Sequence, residues 1–280
     1  MFKKQQILVV GGIVILMAVL LSLNIKGLVK PADDQAAVSN QPVTPTTAYT
    51  VEEASEAARL DLNANIAQQI KDLETEFKSS SDDKKLEVEK KLAQSWDDVN
   101  KPTPAAFYYE MVAEQESNFK NWLMTGDRFT DAYQNTQDSL VQPALMQKAT
   151  HAYQQAVALD KSNLDAQTGL GMAYVNGSSN PMQGITLLLG VVKQDPKNIK
   201  ANMNLGLFSM KSGQFDKAVD RFKTVVAQKP DPEAWFYLAS SYENQGLIDD
   251  AIMAYLKTKE LAADPSLSQF VDRKITELKK

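Results

Sequence analysis

Few side chains in this chain of 280 residues could carry covalent chemistry, and they do not gather. There is no cysteine, so thiol nucleophiles, disulfide frames and thiol lipidation are excluded. His151 is the one histidine. It stands between Thr150 and Ala152 with no Glu-x-x-His partner, so the spacing offers neither a zinc site nor a nucleophile–base pair, and a structural or surface histidine is expected. Gly169-Leu170-Gly171 is half of a phosphate-binding loop. No strand pattern precedes it, and the third glycine and the lysine are missing. Beyond residue 80, three acidic pairs remain. Asp82-Asp83 and Asp249-Asp250 fall where helices should begin and where the helix dipole favours carboxylates, whereas Asp97-Asp98 falls late in a helix and reads as a solvated face. This inventory predicts no catalytic residues, no metal and no cofactor, and it directs attention to the scaffold.

The formal charge is −5, and the first 26 residues hold three lysines and no acid, so everything beyond them is more acidic than the whole. Such a domain should be repelled by nucleic acid and by anionic lipid. Ile7–Ile25 (residues 7–25) runs nineteen residues without a charge. A helix of that length spans about 28 Å, close to the hydrocarbon core of a bilayer. The run exceeds a signal-peptide core, and no small-x-small cleavage site follows it, so it reads as a retained single-pass anchor and the one lipid contact of the chain. Residues 1–6 then form a short cytoplasmic tail, with the N-terminus inside and the bulk of the chain outside the cytoplasmic (inner) membrane, periplasmic in a bacterium with two membranes. Residues 26–50 contain Pro31, Pro42 and Pro45 among small polar residues and read as a tether.

Thr50 followed by Glu53 is a capping box. The helix it opens, 51–78, places Leu62, Ile66, Ile70, Leu73 and Phe77 on one stripe, suited to capping a stacked array or, alternatively, to serving over 51–77 as the seam of a self-assembling protein. From residue 82 two signatures recur. In first helices a small residue precedes an aromatic by three: Ala93/Trp96, Gly126/Phe129, Gly171/Tyr174 and Ala239/Tyr242, with Gly206 followed instead by Ser209. In second helices a small residue precedes a large one by four: Ala105/Tyr109, Ala149/Tyr153, Gly184/Leu188, Ala218/Phe222 and Ala251/Tyr255. The second-helix spacings are 44, 35, 34 and 33 residues. A small residue lets paired helices approach, and the large one fills the gap a turn later. No pair can bury its face alone, so stacking must supply the core. Roughly eleven surplus residues lie between Phe129 and Ala149, to be absorbed by longer helices or a projecting loop.

These residues, with Trp122 and Trp235 four positions before Gly126 and Ala239, resemble the tetratricopeptide repeat (TPR), whose period is about 34 residues. The expected fold is all-α: a right-handed α-solenoid of five helix pairs (82–117, 118–162, 163–197, 198–231 and 232–265) between the 51–78 cap and a final helix, 266–280, capped by Ser266, all preceded by the transmembrane helix. The resemblance implies a non-enzymatic scaffold whose first helices line a concave groove for peptide segments of protein partners. Carried over residue by residue, the groove positions are Lys120, Leu123, Asp127, Thr130 and Asp131 in the second repeat and Asp165, Thr168, Met172, Val175 and Asn176 in the third. The fourth supplies Lys200, Met203, Asn204, Leu207, Met210 and Lys211, and the fifth Glu233, Phe236, Ser240, Glu243 and Asn244. Met172, Val175, Met203, Leu207, Met210 and Phe236 make its middle apolar, suited to a peptide with apolar side chains; the alternative is that these side chains are inter-repeat core, with the register off by one. Architecturally the chain resembles anchored bacterial repeat proteins that act in secretion or envelope assembly. A cytosol-facing adaptor of inverted topology is the remaining alternative, and a homo-oligomer is compatible with either.

Overall fold

Why the described chain is all helix follows from its caps and its breaks. The structure, a computed structural model, describes residues 49–177 and 181–280. The proposed anchor at 7–25 and the tether to residue 48 lie outside the described residues, among which no helix is long and apolar enough to cross a membrane. Thirteen helices and no strands are found among them. They are α1 (Val51–Arg59), α2 (Ala64–Ser79), α3 (Asp82–Asp98), α4 (Pro102–Gln115), α5 (Phe119–Asn135), α6 (Gln142–Leu159), α7 (Leu164–Gly177), α8 (Pro181–Gln194), α9 (Ile199–Lys211), α10 (Phe215–Val226), α11 (Pro232–Asn244), α12 (Ile248–Leu261) and α13 (Pro265–Leu278).

Pro102, Pro232 and Pro265 open helices where a missing N–H costs nothing, and Asn118, Asn198 and Asp231 accept the orphan amides of the helices that follow them. Gly213 and Gly246, at φ +73° and +74°, turn the chain sharply between the helices of the last two pairs, a conformation that excludes a Cβ at little cost only in glycine.

The helices pair as α3/α4, α5/α6, α7/α8, α9/α10 and α11/α12, five units in sequence order, each second helix also packing on the next first helix. The signature residues are where close approach needs them. Ala93, Trp96, Ala105, Phe129, Ala149, Tyr153, Leu188, Ala218, Phe222, Ala239, Ala251 and Tyr255 are all buried. A Cβ added at Gly184 would lie 2.3 Å from the Gly171 carbonyl, so α7 and α8 meet backbone to backbone. Tyr109, Tyr174 and Tyr242 are partly exposed instead. Each fully buried large side chain contributes about 1.5–3 kcal/mol of burial, which makes the Trp96, Tyr153, Phe129, Phe222 and Tyr255 sites the strongest single clamps.

Three sequence expectations are corrected. The cap at 51–78 is two helices, not one: the Thr50 capping box forms, but α1 ends at Arg59, and Asn63 starts α2 by accepting from the Ile66 amide. Tyr49 and Thr50 belong to the folded unit, not the tether, since the Tyr49 ring sits 6.0 Å from that of Phe107. The stripe Leu62, Ile66, Leu73 and Phe77 packs with Ile70 onto Val88, Leu92, Trp96 and Tyr108, with Ile70 buried and the other four half-buried. The final helix is capped by Asp264, which accepts from the Ser266 and Leu267 amides, because Pro265 fills the first helical position and the cap falls two residues upstream of Ser266. The surplus residues of the second pair are absorbed both ways: α5 and α6 lengthen to 17 and 18 residues, against 12 to 14 in the later pairs, and residues 136–141 join them as a short loop.

Candidate functional site

Successive first helices touch one another in order, α5 to α7, α7 to α9 and α9 to α11, and so form one continuous inner face. On it a cavity of about 410 Å³ opens between α5, α7 and α9. Its walls combine Asp127, Thr130, Asp131 and Gln134 from α5 with Asp165, Thr168 and Met172 from α7. Lys200, Met203 and Asn204 come from α9, and Tyr153 of α6 reaches in from behind.

The floor is built around Tyr153. Its ring is 2% exposed, and its hydroxyl donates to Asp127 Oδ1 at 2.8 Å and lies 3.2 Å from Thr130 Oγ1. Two glycines make that reach possible. A Cβ at Gly126 would lie 2.7 Å from the ring, and one at Gly169 would lie 2.3 Å from it, so the phenol is threaded between the backbones of α5 and α7. Burial lifts the Asp127 carboxyl above its ordinary value, against the pull of the Tyr153 hydrogen bond and the Lys200 charge. Burial, and then the Asp127 charge, pushes the phenol far above its usual range, so it stays a donor at any working pH.

The cations around the cavity are partly committed. Arg128 Nε contacts both Asp97 oxygens at 2.7 and 2.9 Å, and its Nη1 contacts Asp131 at 3.1 Å. Lys200 sits 3.6 Å from Asp165 with both side chains well exposed, a pair of little energetic weight. Asp127 has no ion-pair partner among the described residues. Asp127, Asp131, Asp165 and Asp231 therefore outnumber Arg128 and Lys200 on the lining. Such a pocket can accept a cation or N–H donors at its floor, while Met172 and Met203 offer apolar contact at its wall. It holds no nucleophile–base pair. His151 lies on the far side of the second pair, exposed, with its ring edge against Trp122 at 5.5 Å. Among the described residues no group of three acids or histidines could hold a metal ion.

Of the groove residues expected from sequence, Met172, Lys200, Met203 and Asn204 come together here, with the acids and threonines of the second and third repeats. The remainder do not. Val175 leans over Gly184 into the third-pair core, and Leu207 and Met210 are half-buried against the core of the last two pairs. Phe236 is enclosed by the rings of Tyr237, Tyr255 and Phe270 at 5.8–5.9 Å. Glu243 receives Tyr255 Oη at 2.7 Å and Lys274 Nζ at 2.9 Å. Burial pulls its carboxyl upward, but those two bonds outweigh it and hold the group below the ordinary range. Asn176 and Asn244 turn back onto the carbonyls of Met172 and Ser240, and Lys211 is exposed at the end of α9. This cavity thus gathers two of the six apolar groove residues, Met172 and Met203, over an acidic floor, and the other four are half-buried on neighbouring helices. Asp97 is also corrected. Far from a solvated face, it joins the first and second pairs by binding Arg128 and accepting Tyr109 Oη at 3.0 Å.

Residues 209–266 match the model of the family described as Tetratricopeptide repeat. No curated protein sequence matches the chain. Among solved structures, it is similar to that described as "Crystal structure of MamA protein", with TM-score 0.47 and 20% identity over 64% of this chain and 92% of that one. It is also similar to YrrB, described as "a TPR protein with an unusual peptide-binding site", with TM-score 0.45 and 17% identity over 66% of this chain and 91% of that one.

Proposed function

We propose that this tetratricopeptide-repeat chain is a scaffold that holds a peptide segment of a partner protein on its inner face. The proposed ligand places a lysine or arginine side chain, or a free amine, in the acid-floored cavity. The observation that carries this reading is Asp127: a carboxylate oriented by a buried phenol, without an ion-pair partner among the described residues, at the bottom of a cavity built from three successive first helices. A charge-assisted contact in so enclosed a place is stronger than one at a free surface. The long uncharged run at 7–25 supports attachment of this scaffold to the cytoplasmic membrane with the repeats outside, where envelope assembly or secretion would supply its partners.

The test of binding uses the full chain in mild detergent, titrated with extended peptides differing only in a central residue: lysine, arginine, norleucine or glutamate. Lysine and arginine peptides should bind, norleucine about tenfold or more weakly, and glutamate not at all. Equal binding of all four, or of none, refutes the proposal. For topology, the chain lacks cysteine, so a single cysteine placed beside Lys280 is readable in intact spheroplasts. Labelling by an impermeant thiol reagent is expected, and protection would assign the repeats to the cytosol.

A further inference from the structure

The fourth repeat breaks its own pattern at Ser209. The other four units place an aromatic three residues after the small residue of the first helix, and two of those aromatics, Tyr174 and Tyr242, show what the ring does. Tyr174 of α7 meets Gln154 of the preceding second helix at 2.8 Å, and Tyr242 of α11 sits under Lys223 of its preceding second helix at 5.5 Å. Gln154 and Lys223 each stand five residues beyond the small residue of their helix, Ala149 and Ala218. The equivalent residue facing Ser209 is five beyond Gly184, and it is Leu189.

The junction between the third and fourth units therefore lacks the ring and carries an apolar residue, Leu189, where the first, second and fourth units carry Glu110, Gln154 and Lys223 and the last carries Leu256. The consequence is an open trough of about 560 Å³ on the side of the second helices, with Leu189, Met182 and Phe208 along it and Ser209 in its lining. Leu189 and Met182 are 45% and 60% exposed. On its α10 wall stand Lys217, Asp220 and Arg221. Lys217 bonds only Gln214, and Arg221 bonds Asn202 at 3.1 Å, so neither cation has an acidic partner among the described residues, in a chain of net charge −5.

From this we infer a second docking site, on the face opposite the cavity, for a partner peptide that inserts an aromatic side chain where the repeat omits its own and sets acidic residues against Lys217 and Arg221. Shape specifies the ring and charge specifies its neighbours. This site stands independently of the acid-floored cavity, because the charge it selects is the opposite one.

The experiment observes the methionine methyl groups of the full chain by NMR during titration with acetyl-Glu-Tyr-Glu-amide. The Met182 methyl should shift saturably while those of Met172 and Met203 stay still. Acetyl-Lys-Tyr-Lys-amide should bind about fivefold or more weakly, the scale of a surface charge contact. Ser209→Tyr, which restores the ring, should abolish the response. Leu189→Gln, which restores the polar residue on an exposed position, should weaken it and carries the test should the tyrosine variant not fold. Four results overturn the inference: a still Met182, an equal response to the lysine peptide, a shift produced by phosphatidylglycerol vesicles alone, or a shift that grows with protein concentration in the absence of peptide.

Discussion

Replacing Gly169 by alanine should destabilise the chain, although alanine is the better helix former. A methyl at this position would stand 2.3 Å from Tyr153 Cε1 and 2.5 Å from Cζ, inside any tolerable contact. The ring cannot swing away, since on its other side it lies against α5 at Gly126, where an added Cβ would come within 2.7 Å. Overpacking of this kind costs about 1–3 kcal/mol. If the phenol withdraws to relieve it, the Asp127 hydrogen bond is lost, at roughly 1.5–3 kcal/mol for a bond to a charged acceptor. Against this stands a gain of about 1 kcal/mol in helix propensity. The balance is about 2 kcal/mol of destabilisation, a fall in Tm of roughly 4–8 °C for a unit of this size. Gly190, in α8 with nothing within 4 Å of an added Cβ, is the matched control. Gly190→Ala should raise Tm by about 2–4 °C. The assay is thermal unfolding of both variants followed by tryptophan fluorescence, since Trp122 sits on α5 beside the site. If Gly169→Ala proves as stabilising as Gly190→Ala, the ring is not pinned between the two backbones and the account of the cavity floor fails.

Three further outcomes follow from the same geometry. Asp127→Asn keeps an acceptor for Tyr153 and removes the charge. Because burial raises the folded-state pKa, the native chain holds this proton more tightly than the unfolded one, so the ionised group disfavours folding above that pKa and the penalty fades as pH falls through it. The variant should therefore melt higher at neutral pH while its affinity for a lysine peptide drops about tenfold or more, seen by calorimetry on one preparation. Met172→Lys should leave Tm nearly unchanged and abolish capture of basic peptides, whereas Met210→Lys should cost about 2 kcal/mol or more because that side chain packs on the core of the last two pairs. Asp97→Ala should lower stability by roughly 1–3 kcal/mol, measured by urea denaturation, since it takes the acceptor from the Tyr109 hydroxyl and leaves Arg128 with Asp131 alone.

The helix pairs were legible in the sequence because their spacing is fixed by close approach: Ala218 with Phe222, or Ala251 with Tyr255, can serve only where two helices meet. The break in the cap was not legible, because Leu62 continues the apolar stripe of α2 across it, and the signal, Asn63 as an N-cap, is a single polar residue within a polar stretch. The groove was legible in its polar half. Lys200, Asp165 and Thr168 fall in the cavity as their repeat positions require. The apolar half is divided: Met172 and Met203 line the cavity, while Val175, Leu207, Met210 and Phe236 are half-buried against neighbouring helices. Positions near the end of a first helix, Val175 and Met210 among them, are close enough to the next helices that an apolar side chain there gains more by turning inward than by facing water. Tyr153 was visible as a packing residue, but its second role rests on Gly169, which no repeat signature includes, and on a hydroxyl whose reach depends on the distance between α5 and α7.

That dependence bears on how freely such an array can be rearranged. Units that share a packing signature can in principle be duplicated, deleted or exchanged like links of a chain. Here the second and third links are keyed to each other: the tyrosine comes from one, and the clearances that admit it come from both. A chimaera that separates α6 from α7 leaves Gly169 with no ring to admit, and Tyr153 and Asp127 without the α7 wall of their cavity. Shuffling the last two units should preserve that key, while shuffling across Leu159–Leu164 should yield a folded array with an unformed site.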